Sequence, residues 1–439
     1  MADLRQQIAV IGAGPIGLEA ALYAVEAGFG VNLYERGCVA QNIGNWGHVR
    51  LFSPFGMNAS SWGREALAHA NSTPLQLTDQ SLLTGREFAD AYLLPLSRLP
   101  RLSGHVYEGV EVLSIGRSRT WKGDLPGQAA RGNDPFRLLV RDHRGERLAQ
   151  ADIVFDCSGT YPNHNWIGAG GIPCVGERSL LSDEMYCLPD ILGSERSRFA
   201  GRKTLVVGSG YSAATTVVHL AQIAQAERNT RIVWLSRSHG AQPLPRIDDD
   251  PLSQRDGLAE TANALALEKE SPVQWLPDRL IDAVVRRDTV NQFVVSVRAH
   301  AGSASAHTAN VAAEEIAVDC IVANVGYRPQ RSLYEELQVH ECYASGGPMK
   351  LAAALAGETS PDCLAQASPQ AETLLNPEPG FFILGSKSYG RDSRFLLKIG
   401  IEQIQAVFAM LSKTGPKRVP STVHSESRES DKNEAITLQ

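Results

Sequence analysis

The first apolar run, Ile8 to Ile11, shows no polar alternation, as expected of a parallel strand covered on both faces. It leads straight into glycines, so Gln7 to Arg36 predicts strand, tight turn, helix and strand. The pattern returns from Lys203 to Arg237 as strand TLVVGSG, a helix over Ser212 to Ala226 and strand RIVWLSR. Between the two copies, Val106 to Val112, Phe136 to Arg141 and Ile153 to Cys157 predict strands, and the Gly-, Asp- and Ala-rich stretch Lys122 to Asp134 joins two antiparallel ones. Phe293 to Ala299 and Glu315 to Val325 predict further strands around the polar loop AGSASAHTAN. From Cys342 to Gly380 the composition turns to Gly, Ala, Pro and Ser, which predicts an irregular insertion over the surface. Ser393 to Leu411 predicts a helix, and the polar, charged tail from Thr414 is expected to be disordered.

This order predicts an α/β chain with two Rossmann-like three-layer domains, the second inserted into the first. The expected boundaries are 1–165 with 318–413 for the host, 166–317 for the insert and 414–439 for the tail. A length of 439 residues fits that count. A net charge of -6 and a pI near 6.0 give no electrostatic reason to expect a nucleic-acid or anionic-membrane partner, which favours small molecules. No charge-free apolar stretch of ~18 residues and no leader pattern is present, so a cytoplasmic location is expected. The seven cysteines lack a C-x-x-C pair and zinc spacing, and read as reduced structural thiols.

The first glycine motif is Gly12-Ala13-Gly14-Pro15-Ile16-Gly17, between a strand and a helix, with Glu35 at the end of the next strand. Gly12 permits the tight turn, Gly14 lets a pyrophosphate approach the backbone, and Gly17 lets helix and strand pack closely. Glu35 stands where a carboxylate accepts hydrogen bonds from an adenosine ribose, and Arg36 follows it. The second motif, Gly208-Ser209-Gly210-Tyr211-Ser212-Ala213, ends in alanine and has no acid after its second strand. Ser236, Arg237 and Ser238 stand there instead. An arginine flanked by hydroxyls suits a 2′-phosphate, which favours NADPH over NADH. The alternative is that Arg237 is a solvated surface arginine.

With both motifs in place, the chain resembles the two-dinucleotide-binding-domain flavoproteins, the class of flavin-containing and N-hydroxylating monooxygenases and of disulfide reductases. Two further segments look like that class's crossings between domains: Asp152-Ile-Val-Phe-Asp-Cys-Ser-Gly159-Thr-Tyr-Pro162 and Asp319-Cys-Ile-Val-Ala-Asn-Val-Gly326-Tyr-Arg-Pro329. A third, Gly380-Phe-Phe-Ile-Leu-Gly385, leads to the last helix through Phe395. The resemblance implies FAD in the first domain, with Gly12, Gly14, Pro15, Ile16, Gly17, Glu35, Arg36, Trp46, Gly159, Gly326, Gly385 and Phe395 around it. It implies NADPH in the second, at Gly208, Gly210, Tyr211, Ser212, Ala213, Ser236 and Arg237.

Among reactions in that class, a disulfide reductase needs two neighbouring thiols, and no such pair is spaced for it. A single-cysteine peroxidase or disulfide-reductase type of mechanism could use Cys38, shortly after Glu35, but its neighbours supply no evident base. Ser386 after Gly385, the lead-in Phe199-Ala-Gly201-Arg-Lys and Gly44-Asn45-Trp46 look more like the monooxygenases. Two departures from that branch stand out: the histidine of its fingerprint is absent between Val175 and Tyr186, and Pro54 occupies its flavin-covering asparagine position, for which Asn58 is the nearby substitute. The stretch Trp46 to Asn58 also offers His48 as acid or base and Arg50 as an anchor for an acidic group, or else forms a packed loop over the flavin. Lys398 on the last helix faces either the flavin or solvent. The reading is an NADPH-consuming FAD monooxygenase acting with O2 on nitrogen or sulfur of a small molecule, without a metal. A homodimer is compatible with it. The alternatives are a reductase or dehydrogenase without oxygen insertion and a non-catalytic flavin sensor.

Overall fold

The computed structural model describes residues 5–70, 77–161, 163–238, 240–287, 289, 291–300, 314–358, 362–366 and 368–414. The loop AGSASAHTAN and nearly all of the tail from Thr414 lie outside the described residues.

The host begins with β1 (Gln7–Ile11), α1 (Pro15–Glu26) and β2 (Gly30–Glu35), followed by β3 (Val106–Glu108), β4 (Glu111–Arg117), β5 (Phe136–Asp142), β6 (Gly145–Ala151) and β7 (Ile153–Asp156). The insert carries β8 (Lys203–Val207), α2 (Tyr211–Ala226), β9 (Arg231–Leu235), α3 (Ser253–Leu267), β10 (Val273–Leu276), β11 (Arg279–Arg287), β12 (Gln292–Ala299), β13 (Glu314–Val318) and β14 (Cys320–Ala323). The chain then returns through α4 (Met349–Ala356), β15 (Phe381–Ile383) and α5 (Leu397–Thr414).

Two parallel sheets result, of order β15-β7-β1-β2-β3 and β10-β9-β8-β14. Two antiparallel sheets, β4-β5-β6 and β11-β12-β13, flank them. The unbroken apolar runs are explained by burial on both faces. Ile8 and Val10 pack into one core with α1 and α5, and Ala9 and Ile11 into another with β4 and β5. In the second sheet, Ile232 and Trp234 point to one core and Val233 and Leu235 to the other. Each such fully buried Val, Leu or Ile side chain contributes about 1.5–3 kcal/mol relative to exposure.

Three expected elements differ. Val106 to Val112 splits at Gly109, because β3 extends the parallel sheet while β4 joins the antiparallel one. Glu315 to Val325 splits likewise at Asp319, between β13 and β14. The 342–380 segment is not wholly irregular, since α4 buries Leu351 and Leu355 against the first core. Among the described residues, no helix is long and apolar enough to cross a membrane.

Candidate functional site

The first cradle lies at the carboxyl ends of β1 and β2. Gly12 adopts φ +96, and a Cβ there would sit 2.8 Å from the Cys157 carbonyl oxygen. At Gly17 a Cβ would lie 1.8 Å from the Gly12 carbonyl, so only glycine lets α1 approach this closely. Gly14 has nothing within 4 Å of such an atom. That space lies in front of the N–H groups of α1, whose first turn opens on Pro15, and it fits a phosphate. Glu35 accepts hydrogen bonds from Ala13 N (2.8 Å) and Gly37 N (2.9 Å), so it braces the glycine loop as well as lining the cavity beside it. That cavity holds about 440 Å³ and is bordered by Gly12, Glu35, Arg36, Val112, Gly159 and Lys387.

Lys387 is a feature the sequence did not single out. Its ammonium donates to Asp156 Oδ2 at 2.7 Å and to Ser158 Oγ at 3.0 Å, and the Lys387 and Asp156 side chains are 1% and 0% exposed. Ser158 Oγ donates back to Asp156 Oδ1 at 2.6 Å. The pair thus ties the end of β7 to the turn after β15. That turn is closed by Gly385, at φ +73, whose N–H donates to Gln403 on α5. Ile16 sits beneath both Gly385 and Gly400, and Phe395 packs edge-on against Tyr389.

The second cradle repeats the geometry at β8 and β9. Gly208 has φ +141 and leaves no room for a Cβ against the Asn324 carbonyl, whereas Gly210 faces open space at the start of α2. Trp234, fully buried, donates its indole N–H to Gly208 O at 2.8 Å and fixes the loop from below. In α2, Tyr211 and Ser212 border the opening while Ala213 is buried in the core behind it. Past β9, Ser236 is buried and Arg237 is exposed.

The two crossing segments meet as a short antiparallel ribbon. Asn165 N donates to Gly326 O and Arg328 N to Asn163 O, both at 2.9 Å, and the Tyr161 and Tyr327 rings lie 4.5 Å apart. Tyr327 O–H then reaches Tyr186 O at 3.0 Å, and His164 stacks on the Tyr186 ring at 3.5 Å. Tyr186, in the region of the incomplete monooxygenase fingerprint, donates to the buried Glu177 at 2.6 Å. Gly159 and Gly326 flank this ribbon with positive φ of 70 and 78.

The stretch Trp46 to Asn58 packs over the first domain. Trp46 lies against Gly85, and Arg50 is exposed and donates to Leu82 O. Asn58 is buried with both ends of its amide engaged by Ser53, at 2.7 and 2.9 Å, so it braces its own loop. His48 has a buried Nε2 without a hydrogen bond, and Asp190 and His219 of the insert interact with it electrostatically. Phe52 meets Tyr211 edge-on at 5.5 Å, which brings this loop to the mouth of the second cradle. Lys398 is 58% exposed and lies 3.8 Å from Glu402, on a solvated face.

All seven cysteines are free. Burial pushes the Cys174 thiol up to about 12, and the Cys157, Cys187, Cys320 and Cys363 thiols upward as well. Cys342 is lowered by the Ser345 backbone N–H, and Cys38 is exposed beside the first cradle. Among the described residues no cluster of His, Cys, Asp and Glu is arranged to hold a metal.

Neither a protein-family model nor a curated protein sequence matches the chain. Solved structures do match it. The bacillithiol disulfide reductase Bdr of Bacillus cereus superposes with a TM-score of 0.65 at 16% identity, over 93% of this chain and 99% of that one. The cadaverine monooxygenase DfoA of Erwinia amylovora, bound to FAD, gives 0.61 at 12% identity over 98% and 100%. The ornithine N-hydroxylase KtzI of Kutzneria sp. 744, with reduced FAD, NADP+ and L-ornithine, gives 0.59 at 16% over 94% and 100%. The fold is that of the two-dinucleotide-binding-domain flavoproteins, and these identities carry the fold alone.

Proposed function

We propose that this chain binds FAD in the first cradle and NADPH in the second, and acts as a monooxygenase on a nitrogen or sulfur centre of a small molecule. The observation that supports it is the pairing of two open dinucleotide cradles, joined by one ribbon, in a chain whose cysteines are all free. A dithiol relay would need a second sulfur beside the first. The similarity in fold to enzymes that work with FAD and NADP+ supports the choice of cofactors.

FAD, when bound, accepts a hydride from a nicotinamide and can pass the electrons to dioxygen. The N–H groups at the start of α1 hold its diphosphate, Glu35 its adenosine ribose, and the turn from Gly385 the opposite end. The start of α2 holds the NADPH diphosphate, and Arg237 its 2′-phosphate. Phe52 and Tyr211 meet edge-on between the loop over the first cradle and the mouth of the second.

The test is to add NADPH to the purified yellow protein under nitrogen and then admit air with a panel of amines and thioethers. The expected result is bleaching, recolouring in air, and a product carrying one added oxygen atom. Bleaching with turnover only on another acceptor overturns the oxygenation step in favour of a reductase. A protein that NADPH does not bleach is no NADPH-driven oxidoreductase.

A further inference from the structure

The turn after β9 is tied to the residues after β10. Arg279 N donates to Ser236 O at 3.1 Å and Asp278 N to Ser238 O at 3.2 Å. Trp275 on β10 donates its indole N–H to Ser236 Oγ at 3.1 Å, and Ser236 Oγ lies 3.2 Å from Ser238 Oγ. Asp278 has φ +55, the left-handed turn that reverses the chain between β10 and β11 and sets Arg279 beside Ser236.

This position has a meaning in the sheet. A dinucleotide lies across the carboxyl ends of the strands, with its adenosine ribose beyond the second strand of the unit. That strand is β9, and β10 is its outer neighbour. Residues after β10 therefore border the 2′ position from the side opposite to the glycine loop. The Arg279 guanidinium is half-buried, and its Nη1 has 3.3 Å contacts to the Pro277 and Asp278 carbonyls of its own turn. Those are long, and a phosphate is a stronger acceptor than either. The Asp278 carboxylate, the acid nearest in sequence, lies 3.6 Å from His300 Nδ1.

We propose that Arg279 is the second cation of the 2′-phosphate site and sets nucleotide preference together with Arg237, an inference that rests on the NADPH reading above. Ser238 supplies a hydroxyl between them, and Trp275, through Ser236, holds the turn in place. A phosphate between two guanidiniums is bound more tightly and more selectively than one on a single exposed arginine, because each makes a charge-assisted, directional contact.

The test uses the whole flavoprotein and two probes, 2′,5′-ADP and 5′-AMP, titrated by calorimetry. The wild type is expected to bind 2′,5′-ADP the more tightly. Arg279→Gln should weaken 2′,5′-ADP by about tenfold, the low end for a charge-assisted hydrogen bond, and leave 5′-AMP unchanged. Arg279→Lys should retain part of the preference, and Arg237→Gln combined with Arg279→Gln should abolish it. A wild type that prefers 2′,5′-ADP while Arg279→Gln keeps that preference overturns the role of Arg279 alone. Equal weakening of both probes also overturns it, because Arg279 would then only support the turn. A wild type with no preference between the probes overturns the NADPH reading itself.

Discussion

Lys387 and Asp156 allow a quantitative test of how the first cradle is held. Their side chains are 1% and 0% exposed and 2.7 Å apart, so Lys387→Met leaves a buried carboxylate without its cation. Breaking one side of such a pair costs about 3–5 kcal/mol, whereas replacing both partners by apolar groups of similar volume is often neutral. Part of the loss is softened here, because Ser158 still donates to Asp156 through its hydroxyl and its N–H (2.6 and 3.1 Å). The expectation is therefore about 3 kcal/mol for Lys387→Met and recovery of more than half of it in Lys387→Met with Asp156→Leu. Urea unfolding of wild type, both single variants and the double variant closes the cycle. Since Ser158 and Gly159 border the cavity, the single variants should also purify with less flavin than the double variant. Additive losses in the double variant would refute the reasoning, and so would a loss below about 1 kcal/mol in Lys387→Met.

Gly14→Leu should fold but purify colourless, because its side chain enters open space on the phosphate path, while Gly17→Ala should fail to accumulate, because its Cβ meets the Gly12 carbonyl. A yellow Gly14→Leu protein would show that the diphosphate lies elsewhere. Cys38→Ser should keep flavin reduction and turnover, and turnover lost with reduction intact would return the chain to thiol chemistry. Burial holds His219 below its ordinary value, with neighbouring His48 adding to this and Asp190 opposing it. The unfolded chain then binds the extra proton first, so this contribution to stability is complete above about pH 6.5 and falls as pH drops below it. His219→Gln should flatten that slope in urea midpoints, and an unchanged slope would rule the histidine out.

The strand–glycine–helix units were legible because their signal is local. An apolar run without alternation, glycines at fixed offsets and Glu35 or Arg237 at the next strand's end all fall within about 30 residues, the span of such a unit. Lys387 was not legible, because its meaning depends on Asp156, 231 residues earlier, which arrives there only when β15 pairs with β7. A single sequence carries one usable hint, an aspartate ending the buried run Ile153–Asp156, since a buried carboxylate demands a partner. Asn58 shows the converse. Its position near the flavin-covering site suggested chemistry, but Ser53 occupies its amide. The split at Gly109 was hidden because residues on either side of it are equally strand-forming and differ only in which sheet receives them.

The ribbon of crossing segments bears on how such a chain can be rebuilt. Asn163 and Asn165 on the way out are hydrogen-bonded to Arg328 and Gly326 on the way back, so the guest enters and leaves through a gap that about two residues can span. Loop-closure entropy grows only slowly with the length of what is inserted. The host sheet therefore sees nearly the same boundary whether the guest is long, short or exchanged for another, and a graft made at these two points moves the second cradle as one block without disturbing the register of β7 against β15.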